Sequence, residues 1–272
     1  MIIRKHAFTA AVSLLVVIFL WAPLVIVAVN SVNSNPLLVR WDGFTTDWYR
    51  QALSNSDVRA GLRATITIAA ASTAASLVIA VTGSLWWRRA GRRGRRAFDS
   101  LTYLRIMLPE VVFATALFLV FTRLHLQLGT VAVVIGHTVW NSAYATLIVQ
   151  ARTASLDPAL EDAAADLGAS PWRVFRRVTM PGLLPAIVAA GLLAFTFSFD
   201  DIVTTFFLNG SDTPTLPVVI MSMIRFRISP EINAIGILVM LFTVTMFAIA
   251  FLAVIRLGRG ARRSLSLPET PE

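Results

Sequence analysis

The sequence predicts an all-α, polytopic membrane protein with six transmembrane helices. Of its 272 residues, 56% are hydrophobic, and the mean hydropathy of +0.71 is too high for a soluble domain. The apolar residues form six runs, each long enough for a helix to cross the hydrocarbon core of a bilayer. Arginines concentrate in short segments between the runs, so the net charge of +9 indicates orientation in a membrane rather than nucleic-acid binding.

The six runs are the expected membrane spans of one domain, residues 1–272. They cover 7–29, 61–87, 101–121, 130–149, 183–208 and 232–255. Basic residues precede the first run and follow the second and sixth: Arg4 and Lys5, six arginines within 88–96, and Arg256, Arg259, Arg262 and Arg263. Positive residues favour the cytoplasmic side, so both termini are expected to be cytoplasmic. The cluster at 88–96 can also bind anionic lipid or nucleic acid, but its place after a span favours the topological interpretation.

Several kinds of active site are missing from the sequence. The chain has no cysteine, which excludes disulfides, thiolate metal sites and a cysteine nucleophile. His6, His125 and His137 lack metal-ligand spacing, so no metal site is expected. No segment matches the phosphate loop G-x-x-x-x-G-K-S/T, so we expect no nucleotide cofactor and no ATP hydrolysis in this chain. A membrane-embedded enzyme remains an alternative only through the pair Asp200 and Asp201.

An external loop is expected between the first two spans, at 30–60. It contains Gly43-Phe44-Thr45 followed by Trp48 and Tyr49, a pattern typical of a short amphipathic helix at the membrane interface. Trp48 is then either an interface anchor or a ligand contact. The second span is rich in alanine, serine and threonine, which favours close packing against other helices over lipid contact.

Charged residues interrupt two of the later spans. Pro109 predicts a kink in the third span, with Glu110 about nine residues into the helix and therefore roughly 14 Å deep. Such a carboxylate indicates function by default, although pairing with Arg105 for packing alone is the alternative. Asp200 and Asp201 lie near the outer third of the fifth span. Because adjacent helical side chains diverge by about 100°, one can face a pathway while the other caps or pairs with a helix.

A polar segment between the fourth and fifth spans, at 153–182, reads as helix, tight turn and helix. Asp157 and Pro158 form a helix start, and Glu161 and Asp162 follow in the first turn, where the helix dipole favours negative charge. A stripe of small and apolar side chains runs along one face of this helix: Leu160, Ala163, Ala164 and Leu167.

The second half of the segment starts with a predicted turn. Gly168 is placed to end the first helix in a left-handed conformation. Ser170 and Pro171 then open a second short helix, and Pro181 and Pro185 are expected to close the segment. The pattern alone also suits an amphipathic helix lying on the membrane surface.

The order of these residues resembles the EAA loop of binding-protein-dependent ABC importer permeases, whose pattern is Glu-Ala-Ala, three residues, Gly, nine residues and Ile-x-Leu-Pro. Asp162-Ala163-Ala164, Gly168 and Val178-Thr179-Met180-Pro181 match this spacing, with conservative changes. The resemblance implies the type I ABC importer permease fold. It also implies that the docking segment, as we call residues 153–182, contacts a separate ATPase, with ATP and magnesium bound there. The implied ATPase-coupling residues are Leu160, Glu161, Asp162, Ala163, Ala164, Leu167, Gly168 and Pro181.

A second resemblance concerns the substrate. Three C-terminal stretches look like spermidine/putrescine permeases of the PotC type: Ser198-Phe199-Asp200-Asp201-Ile202-Val203, Leu216-Pro217 and Ser229-Pro230-Glu231-Ile232-Asn233-Ala234. This resemblance implies import of polyamines through the bacterial cytoplasmic membrane, with a homologous second permease subunit, two ATPase subunits and an extracytoplasmic polyamine-binding protein.

The charges of the spans agree with a cationic substrate. Glu110, Asp200 and Asp201 place negative charge at different depths, and Trp48 can add a cation–π contact. These four residues are the predicted substrate pathway. A permease for another small organic solute, such as an amino-acid-like amine, is the main alternative, and a channel or secondary transporter independent of an ATPase would leave the docking segment unexplained.

Overall fold

The chain is helical throughout most of the part that the structure describes. A computed structural model describes residues 2–211, 214–226 and 228–263, with side chains from residue 9 to residue 252. The helices are α1 (Ile2–Asn30), α2 (Asp47–Ser54), α3 (Ser56–Arg89), α4 (Arg92–Met107), α5 (Glu110–Arg123), α6 (Thr130–Ala154), α7 (Pro158–Asp166), α8 (Pro171–Val174), α9 (Met180–Phe199), α10 (Val203–Leu208), α11 (Leu216–Phe226) and α12 (Pro230–Arg263).

Five helical stretches are long and apolar enough to cross a membrane, and the bent pair α4–α5 makes a sixth if it counts as one span. The chain is therefore a multi-pass membrane protein, as its composition predicts. Arg4 and Lys5 and the arginines at 256, 259, 262 and 263 lie outside the part of the chain whose side chains are described. The cytoplasmic placement of both termini stays a prediction.

The residues divide into two compact units. The first takes in Met1–Arg59 and Val219–Val244, and the second takes in Ala60–Val218 and Thr245–Glu272. In the first unit, Trp48 Nε1 donates a hydrogen bond to the carbonyl oxygen of Asn33 at 2.8 Å, and the Ser31 and Tyr49 hydroxyls lie 2.7 Å apart. These bonds fasten α2 to the loop after α1, so the short helix expected in this loop is confirmed.

In the second unit, α6 packs against α4, α5, α9 and α10. Small side chains let the helices approach closely, since Ser72, Ser76 and Ser84 of α3 are fully buried. Ser76 Oγ donates to the carbonyl oxygen of Thr138 on α6 at 3.1 Å. The packing role predicted for the small residues of the second span is therefore confirmed.

The third expected span is broken rather than kinked. α4 ends at Met107, α5 begins at Glu110, and the two helices meet at 105°. Pro109 explains the break, because its ring disfavours a helical conformation at Leu108, which is extended with φ −69° and ψ 127°. The prediction that Glu110 lies about nine residues inside a helix is therefore wrong, since Glu110 is the first residue of α5.

The fifth expected span also differs from the prediction at both ends. The prediction that Pro181 and Pro185 close the docking segment is wrong, because the helical path Pro171–Phe199 runs through both prolines. A π turn at Phe175–Thr179 widens the backbone before Pro181, whose ring crowds the carbonyl four residues earlier. At the other end, the helix stops at Phe199 and restarts as α10 at Val203.

The loop expected at 209–229 contains a further helix, α11. The sequence conceals it because Leu216-Pro217 reads as a turn, whereas proline is also well tolerated in the first turn of a helix. Further along, α12 begins at Pro230, and the backbone N–H of Ile232 donates to the carbonyl oxygen of Ser229 at 3.1 Å. The helix start predicted at Ser229-Pro230-Glu231 is confirmed.

Candidate functional site

Two breaks in apolar helices bring carboxyl groups together in the second unit. The first break separates α4 from α5 and places Glu110 at the start of α5, where the helix dipole favours a negative charge. The second break, at Asp200–Ile202, separates α9 from α10. The carboxyl groups of Glu110 and Asp201 contact each other. The sequence predicts these residues on one pathway, but not that two broken helices would bring them into contact.

Asp201 is held by the start of α10. Its Oδ1 accepts hydrogen bonds from the Thr205 backbone N–H at 2.8 Å and from Thr205 Oγ1 at 3.0 Å. The first of these bonds satisfies an N–H that would otherwise lack a partner at a helix N-terminus. Only 8% of Asp201 is exposed. The prediction that one residue of the Asp200 and Asp201 pair caps or pairs with a helix is thus confirmed for Asp201.

His137 on α6 links Asp201 to α3. Its Nε2 lies 3.1 Å from Asp201 Oδ1, and its Nδ1 lies 2.6 Å from Ser198 Oγ. Ser72 Oγ of α3 donates to Ser198 Oγ at 3.0 Å. The hydroxyl of Ser198 is therefore free to donate to Nδ1, which leaves the Nε2 proton for Asp201. We call Ser72, His137, Ser198, Asp201 and Thr205 the buried polar network.

The buried polar network contains the residue types of a Ser-His-Asp triad but not its accessibility. Ser198 is 3% exposed and already accepts a bond from Ser72, so its hydroxyl faces no substrate. A triad needs a nucleophile within reach of a reacting carbonyl. The network instead ties together α3, α6, α9 and α10 around the second break, and it fixes Asp201. Within the described residues, no group of three or more His, Cys, Asp or Glu side chains is placed to hold a metal ion.

The other two pathway residues, Asp200 and Trp48, are not members of the buried polar network as defined above. Asp200 is exposed, next to the buried Asp201, so it is the more accessible carboxylate of the pair. Trp48 belongs to the first unit, where its indole N–H is used in the bond to Asn33. Contact of Glu110, Asp200, Asp201 and Trp48 with a substrate stays a prediction.

The docking segment has the predicted helix-turn-helix form. Asp157 Oδ1 accepts a bond from the Ala159 backbone N–H at 2.9 Å and caps α7, and Gly168 is left-handed with φ +80°. Leu160 and Leu167 are 60% and 90% exposed. Large apolar side chains this exposed on a short polar segment favour an interaction surface. ATPase coupling by Leu160, Glu161, Asp162, Ala163, Ala164, Leu167, Gly168 and Pro181 stays a prediction.

The side chain of Glu161 on α7 turns inward. Its Oε1 accepts a bond from Arg88 Nη1 at 2.8 Å and from Thr179 Oγ1 at 2.7 Å. Arg88 lies in the last turn of α3, and Thr179 ends the π turn before α9. One carboxylate oxygen therefore joins α7 to two long helices. A cleft of about 740 Å³ between these elements is lined by Arg88, Glu161 and Thr179, among others.

The left-handed turn at Gly168 provides a direct test of the docking segment. A Cβ added at Gly168 would meet no atom within 4 Å, so the cost of a substitution is conformational, about 1–2 kcal/mol for a residue with a Cβ. We expect Gly168→Val to distort the turn and to reduce ATP turnover when the chain is assembled with the ATPase that the EAA-loop resemblance implies. Gly168→Asn is the matched control, because asparagine tolerates the left-handed conformation. Equal ATP turnover in the two variants would contradict this role.

Comparison of the sequence with known proteins shows that the chain is similar to transport permeases. The sequence profile of the family described as "Binding-protein-dependent transport system inner membrane component" matches residues 78–263. The putrescine transport system permease protein PotI of Escherichia coli (strain K12) is 33% identical over 229 residues, which cover 82% of each chain. The spermidine/putrescine transport system permease protein PotC of the same strain is 30% identical over 228 residues, covering 84% of this chain and 86% of PotC.

Among solved structures, the chain is similar to the crystal structure of a bacterial ABC transporter involved in the import of the acidic polysaccharide alginate. The TM-score is 0.70 at 15% sequence identity, and the match covers 93% of this chain and 95% of that chain. At this identity, the likeness shows the fold alone. The predicted all-α fold of an ABC importer permease is confirmed.

Proposed function

This chain belongs to the family of binding-protein-dependent transport system inner membrane components, and on that premise we propose that it is one permease subunit of an ATP-driven polyamine importer. A homologous second permease subunit, two ATPase subunits and an extracytoplasmic polyamine-binding protein would complete the assembly in the bacterial cytoplasmic membrane. ATP and magnesium would bind to the ATPase subunits and not to this chain.

The observation that carries this proposal is the identity of 33% and 30% to permeases for putrescine and for spermidine/putrescine, over more than four fifths of the chain. The charge of the candidate site supports it, because Glu110, Asp200 and Asp201 gather carboxyl groups at two helix breaks within apolar spans. Ionisable groups within membrane spans are costly and usually serve a transport path. Polyamines are elongated cations, and they suit carboxylates that lie at more than one position.

In this mechanism, the carboxylates at the helix breaks bind the substrate, and the docking segment transmits movement from the ATPase. The binding protein delivers the polyamine to the external side, and Asp200 is the first carboxylate that the cation meets. His137 and Thr205 hold Asp201 in place. Asp201 in turn holds the positions of Glu110, which its carboxyl group contacts, and of Asp200, its neighbour in the chain. Closing of the ATPase dimer moves the docking segment, and the spans convert this movement into inward access.

The test is uptake of radiolabelled putrescine and spermidine into proteoliposomes that hold the assembled permease pair, ATPase and binding protein, with ATP inside. We expect ATP-dependent accumulation of a polyamine, suppressed by excess unlabelled polyamine. Omission of ATP is the matched control for leak. If unlabelled amino-acid-like amines compete and polyamines do not, the chain is an importer of another solute and the polyamine proposal is wrong.

A further inference from the structure

A partly buried arginine, Arg105, lies between two aromatic rings beside the first helix break. The Cζ atom of Arg105 is 3.7 Å from the centroid of the Trp140 ring and 4.0 Å from that of the Phe113 ring. The three side chains come from α4, α5 and α6. Guanidinium and ammonium groups are attracted to aromatic faces within about 6 Å, so both rings contact the cation closely.

The guanidinium is held by these faces and not by hydrogen bonds. Its Nε, Nη1 and Nη2 atoms are buried and have no hydrogen-bond partner within the part of the chain that the structure describes. Most arginines kept for structure are matched by carboxylates or carbonyls, because the planar group has five donors. Arg105 therefore makes the contacts that any organic cation could make here, and it makes few that depend on a guanidinium.

A carboxylate on the other side of the break acts on this cation through its charge. Glu110 interacts electrostatically with Arg105 across the break, and its carboxyl group contacts Asp201. Two aromatic faces and an acidic side chain are the chemistry that recognises an alkylammonium group. If an ammonium group replaced the guanidinium, the charge beside Glu110 would be unchanged and no hydrogen bond made by Arg105 within the described residues would be lost.

We propose that Phe113, Trp140 and Glu110 form an aromatic cage for an ammonium group of the transported amine, and that Arg105 is a tethered competitor for this cage. This inference rests on the proposed function, since it takes an organic cation to be the substrate. Arg105 lies in the last turn of α4, three residues before Leu108 at the break. Because Arg105 is attached to α4, it can occupy the cage whenever the substrate leaves. Competition from Arg105 then determines the substrate concentration at which uptake is half-maximal.

The dependence of the uptake rate on putrescine concentration shows whether Arg105 competes with the substrate or is a structural staple, a residue that only stabilises the packing of the helices. In the proteoliposomes, Arg105→Ala should lower the KM for putrescine about tenfold, because the competing cation is removed. Trp140→Leu should raise the KM by a similar factor, and Arg105→Lys should stay near the wild-type KM. If Arg105→Ala lowers only the maximal rate and leaves the KM unchanged or higher, Arg105 is a staple and the inference is overturned.

Labelling of an introduced thiol tests the cage without transport. Because the chain has no cysteine, Arg105→Cys gives this subunit a single thiol, whose reaction with 2-aminoethyl methanethiosulfonate can be followed by mass in the assembled complex. Putrescine should slow this reaction severalfold and leave Tyr103→Cys unaffected, since Tyr103 lies on the same helix and is 56% exposed.

The two experiments separate failure of the cage from failure of the proposed function. Normal putrescine uptake by the wild type, with no protection of the Arg105→Cys thiol, overturns the cage and leaves the function standing. Equal protection at both thiols has the same meaning, since it shows a general effect of the cation. Protection confined to Arg105→Cys, without putrescine uptake by the wild type, supports the cage and contradicts polyamine import.

Discussion

Replacing Asp201 with alanine is expected to lower the free energy of unfolding by about 3 kcal/mol. One oxygen of this carboxylate faces His137 Nε2 and accepts two bonds from Thr205. The substitution removes the acceptor of the Thr205 backbone N–H in the first turn of α10, and it leaves the buried His137 Nε2 with only the Thr205 hydroxyl, 3.2 Å away. Buried polar groups that lose a partner cost far more than the lost bond. Thermal unfolding of the purified subunit in detergent measures the effect.

Asp200→Ala is the matched control for this prediction. Asp200 is the same residue type in the same break, but it is exposed, and exposed substitutions usually change stability by about 0.5 kcal/mol or less. We expect Asp200→Ala to unfold like the wild type and to impair uptake alone. The combination of Asp201→Ala with His137→Ala should be less than additive, because the two residues share one network. An Asp201→Ala protein as stable as Asp200→Ala would show that the buried polar network does not hold this break.

The second large effect is expected at Glu161. Because its Oε1 joins α7 to Arg88 and Thr179, Glu161→Ala should release α7 from both of these contacts. Movement of the ATPase would then reach the spans poorly. We expect the amount of polyamine taken up per ATP hydrolysed to fall about fivefold or more, a typical range for coupling between sites. Stability should change by about 1 kcal/mol or less, because the pair is partly exposed.

Two further variants separate the ion pair from general damage. Arg89→Ala removes a neighbouring arginine of the same cleft and should leave the uptake per ATP unchanged. The exchanged pair Arg88→Glu with Glu161→Arg should restore part of the coupling lost by Glu161→Ala. If the exchanged pair is as poorly coupled as the single variant while ATPase binding is intact, the ion pair is not what transmits the movement.

The sequence predicts most of the helices because their causes are local. Long apolar runs, the Asp157 cap and the glycine at 168 depend on residues within a few positions of one another. The fold class and the docking segment's turn follow from such patterns. The break at Pro109 is partly local too, since proline predicts an interruption, but the 105° angle depends on what the two helices pack against.

The contacts of the carboxylates could not be predicted from local sequence patterns. Ser72 and His137 are 126 and 61 residues from Ser198, and in the sequence they are polar residues within apolar runs. No spacing rule joins them. Asp200 and Asp201 look equivalent until Thr205 and His137 select one of them. Arg105 was visible only as a possible partner of Glu110, because contacts with Trp140 and Phe113 need three helices to converge.

The helical path Pro171–Phe199 is a long, continuous rod that can transmit movement from one end to the other. Its 29 residues span about 43 Å at 1.5 Å per residue. This rod begins within the docking segment, and Asp200 follows its other end. A tilt of about 10° about one end would displace the far end by roughly 7 Å, about the distance between neighbouring side chains in a pathway. Movement of the docking segment would thus reach the second helix break, at Asp200, through one continuous helical path.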